Sequence, residues 1–451
     1  ITAISQRTQN KVAARARPRA QWHRLDPRLQ VVEATVIVVM AGLVLVYSLV
    51  ARRLTLANVT APMLSVIAGA AVFAVAEISV EATAVHLIAE ITLVLILFHD
   101  ASTVRLAALR HDPGIAVRLL AIGFPLALIA TFFVTQSLLP TIGVAGAWLV
   151  AAAITPTDAG LGAPTVLNPV VPTRVRRALN VESGLNDGLA TPIVLLALAA
   201  LAAEEDASQP TILQVGLIPV GLALASAIIV GLLAAWLLDR SRIRHLSGAR
   251  GRAVAILVLP IFLFGLAEII GANAFIAAFV GGLAFGAAST TLVEYPETSD
   301  LLEIASDLLG FLVWFFAGGI LLTVIKAGPT WQMLLVAVLA LTVLRIVPVF
   351  LCLLGTGFKW PTVTFLGWFG PRGLATIVFG LLAYEELGVE SPVMGPVAGV
   401  IAFTVLISVF AHGVSAAPLS KMYGDWARRT HAPIESESAI EPMPSRGRAG
   451  L

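Results

Sequence analysis

Apolar residues fall along this chain in stretches of roughly 20, the length at which a helix crosses a hydrocarbon core. The stretches recur from residue 31 to residue 416 with only short polar gaps between them. They occupy 31–51, 56–79, 84–100, 114–138, 144–165, 180–202, 212–238, 252–270, 272–288, 306–326, 331–356, 361–386 and 392–416. Gly271 alone parts the eighth from the ninth, which also suits a hairpin of two shorter helices. The pattern predicts an all-α polytopic membrane protein of about 13 transmembrane helices.

Composition sharpens this picture. The chain is 58% hydrophobic and 12% charged, with a mean hydropathy of +0.93, against about 45–50% apolar and 25% charged for a soluble domain. It is expected to divide into a basic N-terminal tail over 1–30, a transmembrane domain over 31–416 and a polar C-terminal tail over 417–451. Both tails are too polar to bury a core and read as disordered, and no regulatory domain is expected after the membrane part. The N-terminal arginines Arg15, Arg17, Arg19, Arg24 and Arg28 come without the apolar run of a signal peptide. A net charge of +2 and a pI near 8.9 would suit a nucleic-acid partner, but the basic residues lie beside apolar stretches, and membrane topology explains them instead. The single cysteine, Cys352, cannot form an intrachain disulfide.

Basic short loops remain on the cytoplasmic side of a membrane. Arg52 and Arg53, Arg105 and Arg110, Arg174, Arg176 and Arg177, and Arg240, Arg242, Arg244 and Arg250 all follow odd-numbered stretches, whereas Glu77 and Glu81, Glu204 and Glu205, and Glu385, Glu386 and Glu390 follow even-numbered ones. Odd stretches should therefore end in the cytoplasm of a cell-membrane protein, with the C-terminus and its Lys421, Arg428 and Arg429 inside. The basic N-terminal tail and the acidic loop at Glu294, Glu297 and Asp300 run against this pattern.

An ionisable side chain at bilayer depth costs about 2.5–3.5 kcal/mol on insertion scales, so such residues mark function or pairing. They concentrate in ITPTDAG, with Pro156, Thr157 and Asp158, in VESGLNDGLATP, with Glu182, Ser183, Asn186 and Asp187, and in GWFGPRGLAT, with Pro371 and Arg372. Ser183 with Asp187, and Glu182 with Asn186, are four apart, so all four project from one arc of the sixth helix. Pro156 and Pro371 each interrupt a helix beside a charge, and unwound backbone within a membrane is tolerated only where protein or water surrounds it. The fifth and twelfth stretches are seven crossings apart and run in opposite directions. Broken helices in matching positions of opposed halves point to an inverted-repeat carrier with its site at the midplane.

TPTDAGLG, ESGLNDGLATP, GANAFIAAFVGGLAFG, FLVWFFAGG and GWFGPRG, in this order, resemble the signature segments of the monovalent cation:proton antiporters, in their NhaP-like, sodium/proton exchanger branch. The resemblance implies thirteen helices, a core of two inverted repeats with two crossed broken helices, a separate dimerisation domain and a homodimer. Asp187 matches the aspartate that exchanges cation for proton, and Asn186 the asparagine of a pair whose members tend to exchange one for one. Thr157 and Ser183 match oxygen ligands of the cation. Asp158 matches a residue that fixes the crossing by bonding Asn186, and Glu182 with Arg372 a buried structural ion pair. The third stretch, AEITLVLILFHDAS, resembles a segment that places an acid near the site, which makes Asp100 and Glu90 accessory candidates.

Na⁺ and Li⁺ are hard cations that take oxygen ligands, which Asp187, Ser183, Thr157, Asp158 and the carbonyls freed by Pro156 would supply. A free aspartate titrates near 3.9, and burial of a carboxyl can raise that by about 3–5 units, into the neutral range. The expected activity is exchange of a monovalent cation, Na⁺ ahead of Li⁺ or K⁺, for H⁺, with no cofactor beyond the transported ions. A cation channel and a Na⁺-coupled symporter of an organic anion are the rival readings; the symporter would need Arg372 free to meet its substrate. His-Glu-x-x-His and Gly-x-Ser-x-Gly motifs are absent from the sequence, which argues against an intramembrane hydrolase.

Overall fold

A computed structural model of the protein describes residues 27–76, 82–104, 114–205, 216–388, 390–430 and Glu435. Among these residues every regular element is helical. Among the described residues, the predicted stretches are helical for most of their length, with the fifth and twelfth broken. Ten helical segments are long and apolar enough to cross a membrane, and two, Ala61–Val75 and Ala274–Ala288, are shorter apolar helices. Most of the predicted 1–30 tail lies outside the described residues.

In chain order the helices are α1 (Pro27–Leu56), α2 (Ala61–Ala76) and α3 (Ala82–Thr103), then α4 (Gly114–Leu138), α5 (Gly143–Ile154), α6 (Ala159–Val166) and α7 (Thr173–Glu205). After them come α8 (Ile218–Ile243), α9 (Ala249–Ile270), α10 (Ala274–Ala288), the single turn α11 (Thr290–Glu294) and α12 (Asp300–Lys326). The last group is α13 (Trp331–Leu341), α14 (Val343–Cys352), α15 (Trp360–Trp368), α16 (Leu374–Leu387) and α17 (Met394–Arg429).

One unit occurs twice: an interrupted helix, a broken helix, then a long helix. In the first copy α4 carries a π turn at Leu119–Gly123 just before Pro125, which lacks the N–H that would close the regular ladder. The broken span α5–α6 and the 33-residue α7 follow it. In the second, α13 and α14 meet at Thr342, whose φ of −120° and ψ of −94° leave the helical region, and α15–α16 and the 36-residue α17 follow. The two units pack on each other, α6 on α17 and α7 on α16. A second group, α2, α8, α9, α10 and α12, packs against itself, with α3 between the groups, touching α10 and α12 on one side and α7 and α16 on the other.

Small residues set the close crossings within lipid, where burying apolar surface gives helices no reason to associate. Gly282 and Gly286 on α10 lie against the Phe98 and Ser102 carbonyls of α3, and Gly69 and Gly318 bring α2 and α12 backbone to backbone. Gly271 takes the left-handed φ of 67° that ends α9, and Asn273 caps α10 through the Ile276 amide, so the eighth and ninth stretches form a hairpin of adjacent helices.

The final helix does not stop at residue 416, where the polar tail was expected to begin, but runs on to Arg429. Lys421, Arg428 and Arg429 point outward, while Ser420, Tyr423, Gly424 and Ala427 are buried at helical spacing. Tyr423 stacks on Phe365, and Gly424 lies against Val170. Beyond it, the Glu435 carboxylate accepts hydrogen bonds from the Lys359 amide and the Thr362 hydroxyl at the start of α15. The acidic loop that disturbed the charge pattern also has a partner: Glu294 pairs with Arg242, and Asp239 accepts from the amides and hydroxyls of Thr290 and Thr291.

Candidate ion-binding site at the crossed helix breaks

Between Ile154 and Ala159 the fifth span leaves the helix, and between Trp368 and Leu374 the twelfth does the same. The two breaks touch: the Asp158 amide donates to the Pro371 carbonyl at 2.7 Å. Pro156 and Pro371 are both buried in this crossing. Each half-helix N-terminus presents unsatisfied N–H groups and a partial positive charge. Asp158 answers both ends at once. Its Oδ1 accepts from Leu161 N at 2.8 Å, capping α6, and its Oδ2 accepts from Leu374 N at 2.8 Å, capping α16. Gly373 is required beside it, because a Cβ there would run into the Asp158 carboxylate.

The C-terminal end of α5 presents carbonyls instead, and Arg372 meets them: Nη1 donates to Ile154 O at 2.6 Å and to Pro156 O at 3.2 Å, while Nη2 donates to Ala340 O at 3.3 Å. The expected Glu182–Arg372 ion pair is therefore not made. Glu182 instead pairs in a two-pronged bridge with Arg345 of α14, with Arg345 Nη2 and Glu182 Oε2 at 2.7 Å. The planar guanidinium fits a carboxylate bidentately, and α14 brings it opposite the α7 arc, whereas Arg372 is drawn to helix-end carbonyls.

The α7 arc is buried as expected, Glu182, Ser183, Asn186 and Asp187 all being 8% exposed or less. Asn186 does not bond Asp158. Its Oδ1 accepts from Thr157 N at 3.1 Å and its Nδ2 donates to Thr157 Oγ1 at 2.8 Å, because Asp158 is already committed to the two helix ends. The Thr157 and Ser183 hydroxyls sit 2.8 Å apart. Thr157 and Ser183 thus bring two hydroxyls together beside the Pro156 break, with the buried Asp187 one turn further along α7. The Asp187 carbonyl accepts from Thr191 Oγ1 at 2.9 Å.

Of the accessory acids, Asp100 reaches this region and Glu90 does not. Asp100 is buried on α3 with its Cβ against Gly184, one residue from Ser183. Glu90 lies near the other end of α3, 3.8 Å from His86 Nδ1. His86 Nε2 is in turn 2.7 Å from Glu385 at the end of α16, a close contact without in-line hydrogen-bond geometry. Arg345 and His412 were not singled out in the sequence, although both are ionisable residues in the middle of apolar stretches, the signal that found Asp158 and Arg372.

Two units of the same helix order, each with a broken span and meeting where the breaks touch, are the arrangement of an inverted-repeat membrane fold. Residues 33–422 match the family described as sodium/hydrogen exchanger, transmembrane. The chain belongs to this family. It is 26% identical over 306 residues to a Na⁺/H⁺ antiporter of Schizosaccharomyces pombe, covering 62% of this chain and 65% of that one. A second relative from the same yeast, a probable Na⁺/H⁺ antiporter, is 27% identical over 347 residues, covering 70% of this chain and 46% of its own length. The chain thus spans less than two thirds of either relative. The fold is similar to that of the sodium proton antiporter MjNhaP1 from Methanocaldococcus jannaschii, with a TM-score of 0.64 at 22% identity, over 88% of this chain and 99% of that one.

Proposed function

We propose that the protein exchanges a monovalent cation, Na⁺ ahead of Li⁺ or K⁺, for H⁺ across the cell membrane, through competition of the two for the Asp187 carboxylate. The observation that carries this reading is the meeting of the Thr157 and Ser183 hydroxyls, one turn of α7 from buried Asp187, at a crossing whose helix ends are already satisfied by Asp158 and Arg372. A dehydrated alkali cation requires several oxygen ligands, and these residues, with the carbonyls near Pro156, supply them. Thr157 is held at backbone and side chain by Asn186, so the ligand set is pre-formed. Arg372 supports the exchanger over a symporter of anions, since both its terminal nitrogens are engaged by carbonyls.

Proton and cation exclude each other at one carboxylate, and the loaded site faces each side in turn as the crossing moves against the α2, α8–α10 and α12 group. Exchange is one for one, no cofactor takes part besides the transported ions, the chain crosses the membrane thirteen times with its C-terminus in the cytoplasm, and two copies pair through the second group. The α8 face bearing Ile228, Ile229, Leu232, Leu233 and Trp236 is apolar and exposed, in keeping with contact to lipid or to a second copy.

The test is a vesicle assay with an interior pH dye, challenged in turn with Na⁺, Li⁺, K⁺ and choline. Wild-type protein should move protons in response to Na⁺ and not to choline. Asp187→Asn should abolish the response while eluting and unfolding like the wild type. Full exchange by this variant would remove Asp187 from the mechanism.

A further inference from the structure

α7 is not the only long helix that grips a break. On α17, Ser408, His412 and Ser415 recur at spacings of four and three, on one face of the helix, and that face meets the second break at both of its ends. Ser408 Oγ accepts the Arg372 amide at 2.6 Å, where α16 is about to begin. His412 Nε2 lies 2.9 Å from the carbonyl of Trp368, the last residue of α15. The Trp368 indole N–H donates to Ser415 Oγ at 2.9 Å, and its ring lies against the imidazole, with centroids 5.1 Å apart. Ser408 and His412 are both buried.

The arrangement mirrors the first unit. There, Ser183 and Asn186, three apart on α7 with Asp187 next in the chain, bond Thr157 in the first break. Ser408 and His412, four apart on α17, occupy the corresponding place in the second unit. Where the first helix offers an ion a carboxylate, the second offers an imidazole whose two nitrogens are already occupied.

The proton positions follow from the partners. A carbonyl only accepts, so Nε2 carries the hydrogen that meets Trp368 O. Ser408 Oγ has accepted the Arg372 N–H, which leaves its own hydrogen for His412 Nδ1 at 3.3 Å. The Ser408 carbonyl also lies 3.1 Å from Nδ1 and could take a second ring proton. His412 is buried, and burial without a counter-charge opposes a doubly protonated imidazolium there. The ring is thus a neutral donor at Nε2 and an acceptor at Nδ1.

We infer that His412 is a positioning residue for the cation site, fixing through Trp368 O and Ser408 the place of Arg372, which in turn holds the Ile154 and Pro156 carbonyls beside Thr157. It works without itself exchanging a proton. The inference rests on the exchange reading above, and it assigns to α17 a part in cation affinity.

The experiment uses the full chain with His412→Leu, His412→Gln and Ser408→Ala. It measures the apparent KM and maximal rate for Na⁺ in vesicles, and the Na⁺ concentration giving half-maximal thermal stabilisation of detergent-purified protein. Loss of a residue that orients a ligand shell typically costs about 10-fold or more in ion affinity, so His412→Leu should raise both Na⁺ constants about 10-fold, with a smaller change in maximal rate. Ser408→Ala should move them in the same direction and serves if His412→Leu does not fold. The amide N–H of His412→Gln can replace the Nε2 donor, and this variant should restore the Na⁺ constants and leave the pH profile of exchange unmoved. Unchanged Na⁺ constants in folded His412→Leu or Ser408→Ala would overturn the inference, as would a displaced pH profile in His412→Gln. Na⁺ stabilisation without Na⁺-driven proton flux in the wild type would overturn the exchange reading alone, leaving His412 to be judged on the stabilisation constants. A wild type that responds to Na⁺ in neither measurement overturns both.

Discussion

At the scale of single residues, the buried charges in the crossing divide by what they touch. Glu182 and Arg345 touch each other, and neither end of the pair can be removed without stranding the other away from water. Glu182→Gln alone should lower the unfolding free energy by about 3–5 kcal/mol, the cost of breaking a buried pair from one side. Glu182→Leu combined with Arg345→Leu should recover most of that loss, read as midpoints of denaturation in detergent. Asp158 touches backbone instead. Asp158→Asn keeps an acceptor for one of the two helix ends and turns an amide donor toward the other, so it should cost about 1–2 kcal/mol, as loss of a single cap does, and Asp158→Ala should cost more.

At the scale of the element, the close approach of α3 and α10 depends on glycine. Gly286 lies against the Ser102 carbonyl with no room for a side chain, whereas Gly265 on α9 has nothing near it. Gly286→Leu should therefore destabilise the protein by about 1–3 kcal/mol or more, as overpacking does, and Gly265→Leu should leave the melting temperature nearly unchanged. This contrast was not visible in the sequence, where both glycines interrupt apolar stretches alike. The helices themselves were legible because length and hydropathy report directly on a bilayer, and the breaks because proline beside a charge is so costly there. Partners were harder to read. The resemblance assigned Glu182 to Arg372, but only the path of α14 shows that Arg345 reaches it first. Asp158 was expected on Asn186 from the family resemblance. The geometry of two converging helix ends, which decides the matter, appears only when both units are folded. The end of α17 was misplaced because its last turns carry charge on one face and pack a tyrosine and a glycine on the other.

At the scale of the whole molecule, His86 at the start of α3, the helix between the two groups, meets Glu385 at the end of α16 in the second unit, with Glu90 and Glu268 near them. If the crossing moves as a body during exchange, this contact has to open. In a Cys352→Ser background, His86→Cys with Glu385→Cys joined by a short thiol-reactive linker should arrest Na⁺-driven proton flux, and cleaving the linker should restore it. Undiminished flux in the linked protein would show that α3 and α16 keep their relation throughout.

The double cap on Asp158 has an electrical corollary. Two helix N-termini carry about half a positive charge each, and one carboxylate offsets them, while the guanidinium of Arg372 faces the opposite helix pole. With Glu182 and Arg345 cancelling each other, the formal charge left on the moving crossing is that of Asp187. One proton or one sodium ion brings it to zero, so both loaded forms should traverse the bilayer as neutral bodies. Imposing a potassium diffusion potential across the vesicles should then leave the rate of exchange unaltered, and a rate that follows the imposed voltage would mean that a further charge travels with the ion.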